Sequence, residues 1–137
     1  MNLTNKHILI VEDDRFMTFL EQTILKQVLR NVPTSAAENG KQGIAFITRH
    51  NDKKNDLLIF LDINMPVMDG FEFLESIDKI PTHCNCTVIM ISSSISKADK
   101  EKSFTYPAVK DFISKPLTAE NLKKALPTDW HYLMKNN

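Results

Sequence analysis

Glycine is scarce in this chain, with three in 137 residues. So few cannot build the Gly-rich loop that cradles a nucleotide's phosphates, which argues against a nucleotide-dependent enzyme. Cysteine is scarcer, with Cys84 and Cys86 alone. Alternate residues are poorly placed to bridge each other, so both are expected as free thiols in a loop. With His83 they form a His-Cys-x-Cys cluster, but that spacing is not one of a structural zinc site. Neither sign of charge dominates: 17 basic residues face 17 acidic ones. A general attraction to nucleic acid or anionic lipid is not expected. No stretch approaches the roughly 20 apolar residues that span a bilayer. The polar start, Met1 to His7, leads into a short apolar run broken at Glu12, unlike a secretory leader. A cytoplasmic protein with no membrane insertion and no nucleic-acid partner is the expectation.

What is present is an alternation of two apolar signals. Short aliphatic runs at 7–11, 57–61 and 88–91 read as strands buried on both faces. Weaker strands are predicted near 32–36 and 109–114. Between them lie amphipathic stretches. Phe16, Phe19, Leu20, Thr23, Ile24 and Val28 recur at helical spacing and predict a first helix with that set as its core face. Further helices are predicted over 41–49 (Ile44, Phe46, Ile47 apolar), 71–80 (Phe71, Leu74, Ile77 inward), 96–105 and 118–126. Tyr106-Pro107 should end the fourth early, and Thr118 should cap the fifth. Strand then helix, five times over, implies an α/β doubly wound parallel sheet with right-handed crossovers. The expectation is one domain over 1–137, with a core of about 6–127 and a short tail at 128–137, too short for an output domain.

Ligands of such sheets bind beyond the carboxyl ends of the strands. There the first strand ends in Glu12-Asp13-Asp14, the third in Asp62, the fourth in Ser92-Ser93-Ser94 and the fifth in Lys115-Pro116. Several carboxylates in one cleft repel unless a cation joins them, and hard oxygen ligands suit Mg²⁺ or Mn²⁺. A Lys and a Ser hydroxyl beside that cation are suited to an anion. Cation, ammonium and hydroxyl around one Asp is what phosphoryl transfer to a carboxylate requires. Asp14, following the acidic pair, reads as a helix N-terminal residue rather than a ligand.

The motifs Ile8-Leu9-Ile10-Val11-Glu12-Asp13-Asp14, Leu61-Asp62-Ile63-Asn64-Met65-Pro66-Val67-Met68-Asp69-Gly70, Val88-Ile89-Met90-Ile91-Ser92-Ser93 and Asp111-Phe112-Ile113-Ser114-Lys115-Pro116 resemble, in order and separation, the signatures of response-regulator receiver domains. The resemblance covers essentially the whole chain and is closest to stand-alone chemotaxis-type receivers. It implies a flavodoxin-like (βα)5 fold with strand order 2-1-3-4-5. It implies Asp62 as phosphoacceptor and Asp13 as direct metal ligand, with Glu12 reaching the metal through water and Asn64 offering its backbone carbonyl. Ser92 would be the switch hydroxyl, and Lys115 the phosphate-pairing lysine held by a cis bond to Pro116. Asn64 and Ser94 would flank the attacking water in hydrolysis, and since neither is bulky or basic a short phosphoryl lifetime is expected. The Ser93 amide would touch the phosphate.

Two positions depart from the family pattern. Phe112 stands where the switch aromatic is often Tyr, so it can act only by packing. Ala108 stands near a usual Gly. Implied partners are a histidine kinase or histidine phosphotransfer protein as donor, and a downstream protein target. The implied role is a phosphoacceptor switch rather than an enzyme. Two alternatives remain. One is a small phosphatase of the haloacid-dehalogenase type, whose second acid/base Asp is here Asn64. The other is a degenerate receiver that only binds.

Overall fold

The computed structural model describes residues 5–81, 84–93 and 96–135. His83 and Ser94, singled out above, lie outside the described residues. The elements run β1 (Asn5–Val11), α1 (Arg15–Val28), β2 (Thr34–Ala37), α2 (Gly40–Arg49), β3 (Asn55–Asp62), α3 (Gly70–Lys79), β4 (Asn85–Ser92), α4 (Lys97–Ser103), β5 (Val109–Ser114) and α5 (Ala119–Ala125), followed by a 3₁₀ turn over Thr128–Leu133. The five strands are parallel in the order β2-β1-β3-β4-β5, as the resemblance implied.

Alternation along the central strands divides the core in two. Leu9 and Val11 of β1, Leu57, Ile59 and Leu61 of β3, and Val88 and Met90 of β4 pack against α2 and α3 through Phe46, Ile47, Phe73 and Leu74. Ile8 and Ile10, Leu58 and Phe60, and Ile89 and Ile91 face the other way, onto Leu25 and Val28 of α1 and Leu122 of α5. Helix starts are fixed by side-chain caps. Asp14 accepts from the Phe16 and Met17 amides, Asp69 and Glu72 form a reciprocal box, and Thr118 with Asn121 forms another.

The chain beyond α5 closes the second core. Trp130 is fully buried, the Arg30 amide donates to Leu133 O (2.8 Å) and the Lys135 amide to Val28 O (2.7 Å). The Lys6 ammonium sits 5.0 Å from the centre of the Trp130 ring and pairs with Asp56 at 2.6 Å.

Four expectations need correction. The buried face of α1 is Glu21, Leu25 and Val28, whereas Phe16 and Phe19 are 66% and 64% exposed and Leu20 is exposed too. The apolar count misled because those aromatics serve no core. In α3 the expectation left out Phe73, which is fully buried with Leu74 and Ile77, while Phe71 is half-buried and packs at the margin of the same core. Cys86 lies in β4 rather than in a loop. Val32 and Pro33 precede β2, which starts at Thr34.

Candidate functional site

The parallel register brings the strand ends level. Val11 pairs with Leu61, Asp62 with Ile91 and Ser92 with Ser114. Glu12, Asp62, Ser92 and Lys115 therefore emerge at one edge of the sheet. Backbone bonds set their heights: the Glu12 amide donates to Ala37 O (3.0 Å) and the Lys115 amide to Ser92 O (2.8 Å). The Lys115–Pro116 bond is cis, as the family resemblance implied.

Carboxylate oxygens of Glu12, Asp13 and Asp62 lie within 4.8 Å of one another. Glu12 and Asp62 are buried and Asp13 is exposed, so the cluster opens to solvent on the Asp13 side. Lys115 Nζ donates to Glu12 Oε1 at 2.6 Å and lies 3.6 Å from Asp62 Oδ2. One ammonium faces three carboxyl groups, and the surplus shows in the proton affinities of Glu12 and Asp13. Burial pushes Glu12 up; its bond to Lys115 pulls the other way, Asp62 adds to the rise, and the net is upward. Asp13 is raised by loss of solvent and by Glu12 beside it. Burial alone would lower the Lys115 ammonium, but the bond to Glu12 and the charges of Asp62, Glu12 and Glu21 reverse this, and it stays charged. A set of hard oxygen donors with excess negative charge and one open side fits a small divalent cation such as Mg²⁺ or Mn²⁺.

Ser92 is fully buried at the end of β4. Phe112 is half-buried in mid-β5, beside Met90 of β4, and packs onto the core face shared with α2 and α3. Asn64 is exposed in the loop that follows Asp62. That loop is tightly bent. The Met68 amide donates to Pro66 O at 2.8 Å across Val67, whose φ is 72°, a strained γ-turn for a β-branched residue. Its far end is clamped at Gly70, whose amide donates to Ile63 O (2.8 Å). A Cβ on Gly70 would stand 2.7 Å from Asp62 O and 2.8 Å from Ile63 Cα, so only glycine lets α3 start so close to the end of β3.

The structure thus brings Glu12, Asp13, Asp62, Lys115 and the Ser92 strand end together, with Asn64 on the rim and Phe112 one strand repeat below. Sequence reasoning missed Glu21. This α1 residue is 4% exposed, its Oε2 lacks a hydrogen-bond partner, and it lies in the field of Glu12, Lys115 and Asp62. The signal was available: Glu21, Leu25 and Val28 are spaced i, i+4, i+7.

Comparisons with known proteins agree with this architecture. The chain is 31% identical over 119 residues to the chemotaxis protein CheY of Bacillus subtilis, covering 87% of this chain and 92% of that protein. It is 29% identical over 126 residues to hybrid signal transduction histidine kinase I of Dictyostelium discoideum, covering 88% of this chain but only 7% of the kinase. A signal receiver domain from Vibrio parahaemolyticus superposes with a TM-score of 0.73 at 27% identity, over 89% of this chain and 86% of that one. The fold is also that of the Saccharomyces cerevisiae Ssk1 receiver domain crystallised with the histidine phosphotransfer protein Ypd1 (TM-score 0.72, 22% identity, 96% and 92% covered). The sequence profile of the response regulator receiver domain matches residues 8–127, and the chain belongs to that family.

Proposed function

We propose that this receiver works as a phosphoacceptor switch, in which Asp62 takes a phosphoryl group from a phosphohistidine. The observation that carries the reading is the juxtaposition of Asp62 with two further carboxylates and a charged lysine at one sheet edge. A carboxylate oxygen of Asp62 attacks phosphorus, the P–N bond of the phosphohistidine breaks, and the electron pair leaves on the imidazole. Glu12, Asp13, Asp62 and the Asn64 carbonyl would hold Mg²⁺, or Mn²⁺, which when bound neutralises charge on the transferred oxygens. Lys115 already sits within reach of Asp62 while bonded to Glu12, so the ammonium has a short path from Glu12 to a new phosphoryl oxygen. Ser92 would donate to another of those oxygens and Phe112 would repack behind it, biasing the surface of α4, β5 and α5. The Ser93 amide would touch the phosphate, and Asn64 and Ser94, flanking the attacking water, would set a short lifetime.

The donor is a histidine kinase or a histidine phosphotransfer protein, and the output passes in the cytoplasm to a protein target. The exposed Phe16, Phe19 and Leu20 on α1, the helix that begins three residues after Glu12, offer such a donor an apolar seat beside the site. The phosphatase alternative is disfavoured by Asn64, which cannot exchange protons. The candidate sites also argue against a degenerate binder, since the acidic cluster and Lys115 are intact. Incubation with acetyl phosphate, with and without Mg²⁺, followed by intact mass on wild type and Asp62→Ala tests the reading. One phosphoryl adduct that requires Mg²⁺ and disappears in the variant supports it. No adduct on folded protein refutes it, and turnover of a small phosphate ester would favour the phosphatase.

A further inference from the structure

The two cysteines flank Asn85, the first residue of β4. Residues i and i+2 of an extended segment face the same side. Their sulfurs lie 3.2 Å apart and are not bridged. Cys84 is held from behind: its amide donates to Asn51 Oδ1 (3.2 Å), and Asn51 Nδ2 donates to Pro81 O (2.9 Å). Both cysteines line an open groove of about 340 Å³ bounded by Ile77, Ile80, Pro107 and Ala108. The pair is therefore preset, with Cys86 half-buried and Cys84 buried behind it at the groove wall. Ser92 stands six residues along β4 from Cys86, or about 20 Å away at the strand rise of about 3.3 Å per residue, so the groove is separate from the acidic site.

The separation shows how far the sulfurs must move for each occupant. A disulfide needs about 2.05 Å. With metal–sulfur bonds of about 2.3 Å, a linear ion would hold the sulfurs about 4.6 Å apart, a tetrahedral ion about 3.8 Å, and a centre with a right angle between its two sulfurs about 3.3 Å. The 3.2 Å seen here is an S–H···S contact between two free thiols, and it lies nearest the last, so that centre asks the least movement of either sulfur. We propose that Cys84 and Cys86 form a two-thiol site for a trivalent thiophilic centre of the arsenic type, whose third substituent lies in the groove.

The chemistry is a condensation without change of oxidation state. Two S–H and two As–O bonds break, two As–S bonds form, and two waters leave with the thiol protons. It needs no resting thiolate. That suits this pair, because burial and the neighbouring Cys84 sulfur push the Cys86 thiol well above its ordinary range. A thiol so raised is a slow partner for disulfide oxidants.

The test treats the whole chain with one equivalent of phenylarsine oxide and reads intact mass and thermal unfolding. The expected result is one arsenical per chain, a higher Tm, removal by a dithiol but not by an equal excess of monothiol, and at least roughly tenfold weaker retention in Cys84→Ser and Cys86→Ser, as loss of a chelate predicts. Acetyl phosphate labelling of Asp62 stays at the wild-type level in the loaded protein. An adduct that monothiol strips from wild type as readily as from the single variants overturns the proposal. So does loss of two hydrogens with no adduct, which is disulfide formation. If either serine variant fails to fold, the Tm shift and the dithiol-against-monothiol contrast on wild type decide alone.

Discussion

Replacing Glu21 with Leu should stabilise the protein at neutral pH and flatten its pH profile. Glu21, on the inner face of α1, lines a cavity of about 140 Å³ together with Met17, Leu20, Ile24, Pro116 and Leu117. Burial, then repulsion from Glu12 and Asp62, outweighs attraction to Lys115 and pushes its carboxyl from 4.5 up to about 8. The folded value exceeds the unfolded one, so the contribution is fully present below pH 4.5 and is lost as pH rises toward 8. Each unit is worth about 1.4 kcal/mol, and pH 7 lies about 2.5 units above the ordinary value, so the loss at pH 7 is about 3 kcal/mol. Glu21→Leu removes this and fills an apolar site, giving a gain of about 3 kcal/mol at pH 7 and near zero at pH 4. Urea unfolding of both proteins at pH 5, 6, 7 and 8 without divalent ions reads it, with titrations away from the acidic cluster cancelling in the difference. The two stability curves should diverge by about 1.4 kcal/mol per pH unit between pH 5 and 7, and the divergence should flatten as pH reaches about 8. Parallel curves would refute the reasoning.

Other expectations concern the site. Gly70→Ala forces a Cβ against Asp62 O; it should cost about 1–3 kcal/mol in denaturant unfolding and slow acetyl phosphate labelling by about tenfold or more. Because Glu12 and Asp13 hold protons more tightly than ordinary carboxylates, Mg²⁺ affinity should rise with pH through and above the ordinary carboxylate range. Calorimetry in buffers of different ionisation enthalpy should then record proton release on binding. Phe16→Asp with Phe19→Asp should leave labelling by acetyl phosphate within about twofold and reduce transfer from a phosphohistidine protein by about tenfold or more, since both rings lie outside the core. An equal loss with both donors would place the fault in folding.

The sheet and the polar edge were legible because each rests on a local rule. Buried parallel strands such as Leu57–Leu61 are continuous aliphatic runs, and chemistry collects at their carboxyl ends. Asp14 and Thr118 announced two helix starts by residue type alone. What escaped depended on competition between residues. On α1, Phe16 and Phe19 were read as core by hydrophobicity, but the helix is rotated so that Glu21 points inward and the rings face solvent. That rotation is set by Leu25 and Val28 meeting Ile8 and Ile10, a tertiary preference that a polar residue at one position does not overrule. The strain at Val67 and the closeness of Gly70 to Asp62 are likewise products of how β3 and α3 meet. The sulfur contact needed the start of β4, which begins before the apolar run that marked it.

The central claim is that Asp62 is the phosphoryl-accepting group for a P–N donor. Phosphoramidate, the smallest such donor, can be incubated with wild type, Asp62→Asn and Lys115→Ala in Mg²⁺, and the adduct mapped by peptide mass after borohydride trapping. The account predicts a single site at Asp62, none in Asp62→Asn, and slower or less stable labelling in Lys115→Ala. Label at any other residue, or undiminished label in Asp62→Asn, would contradict it.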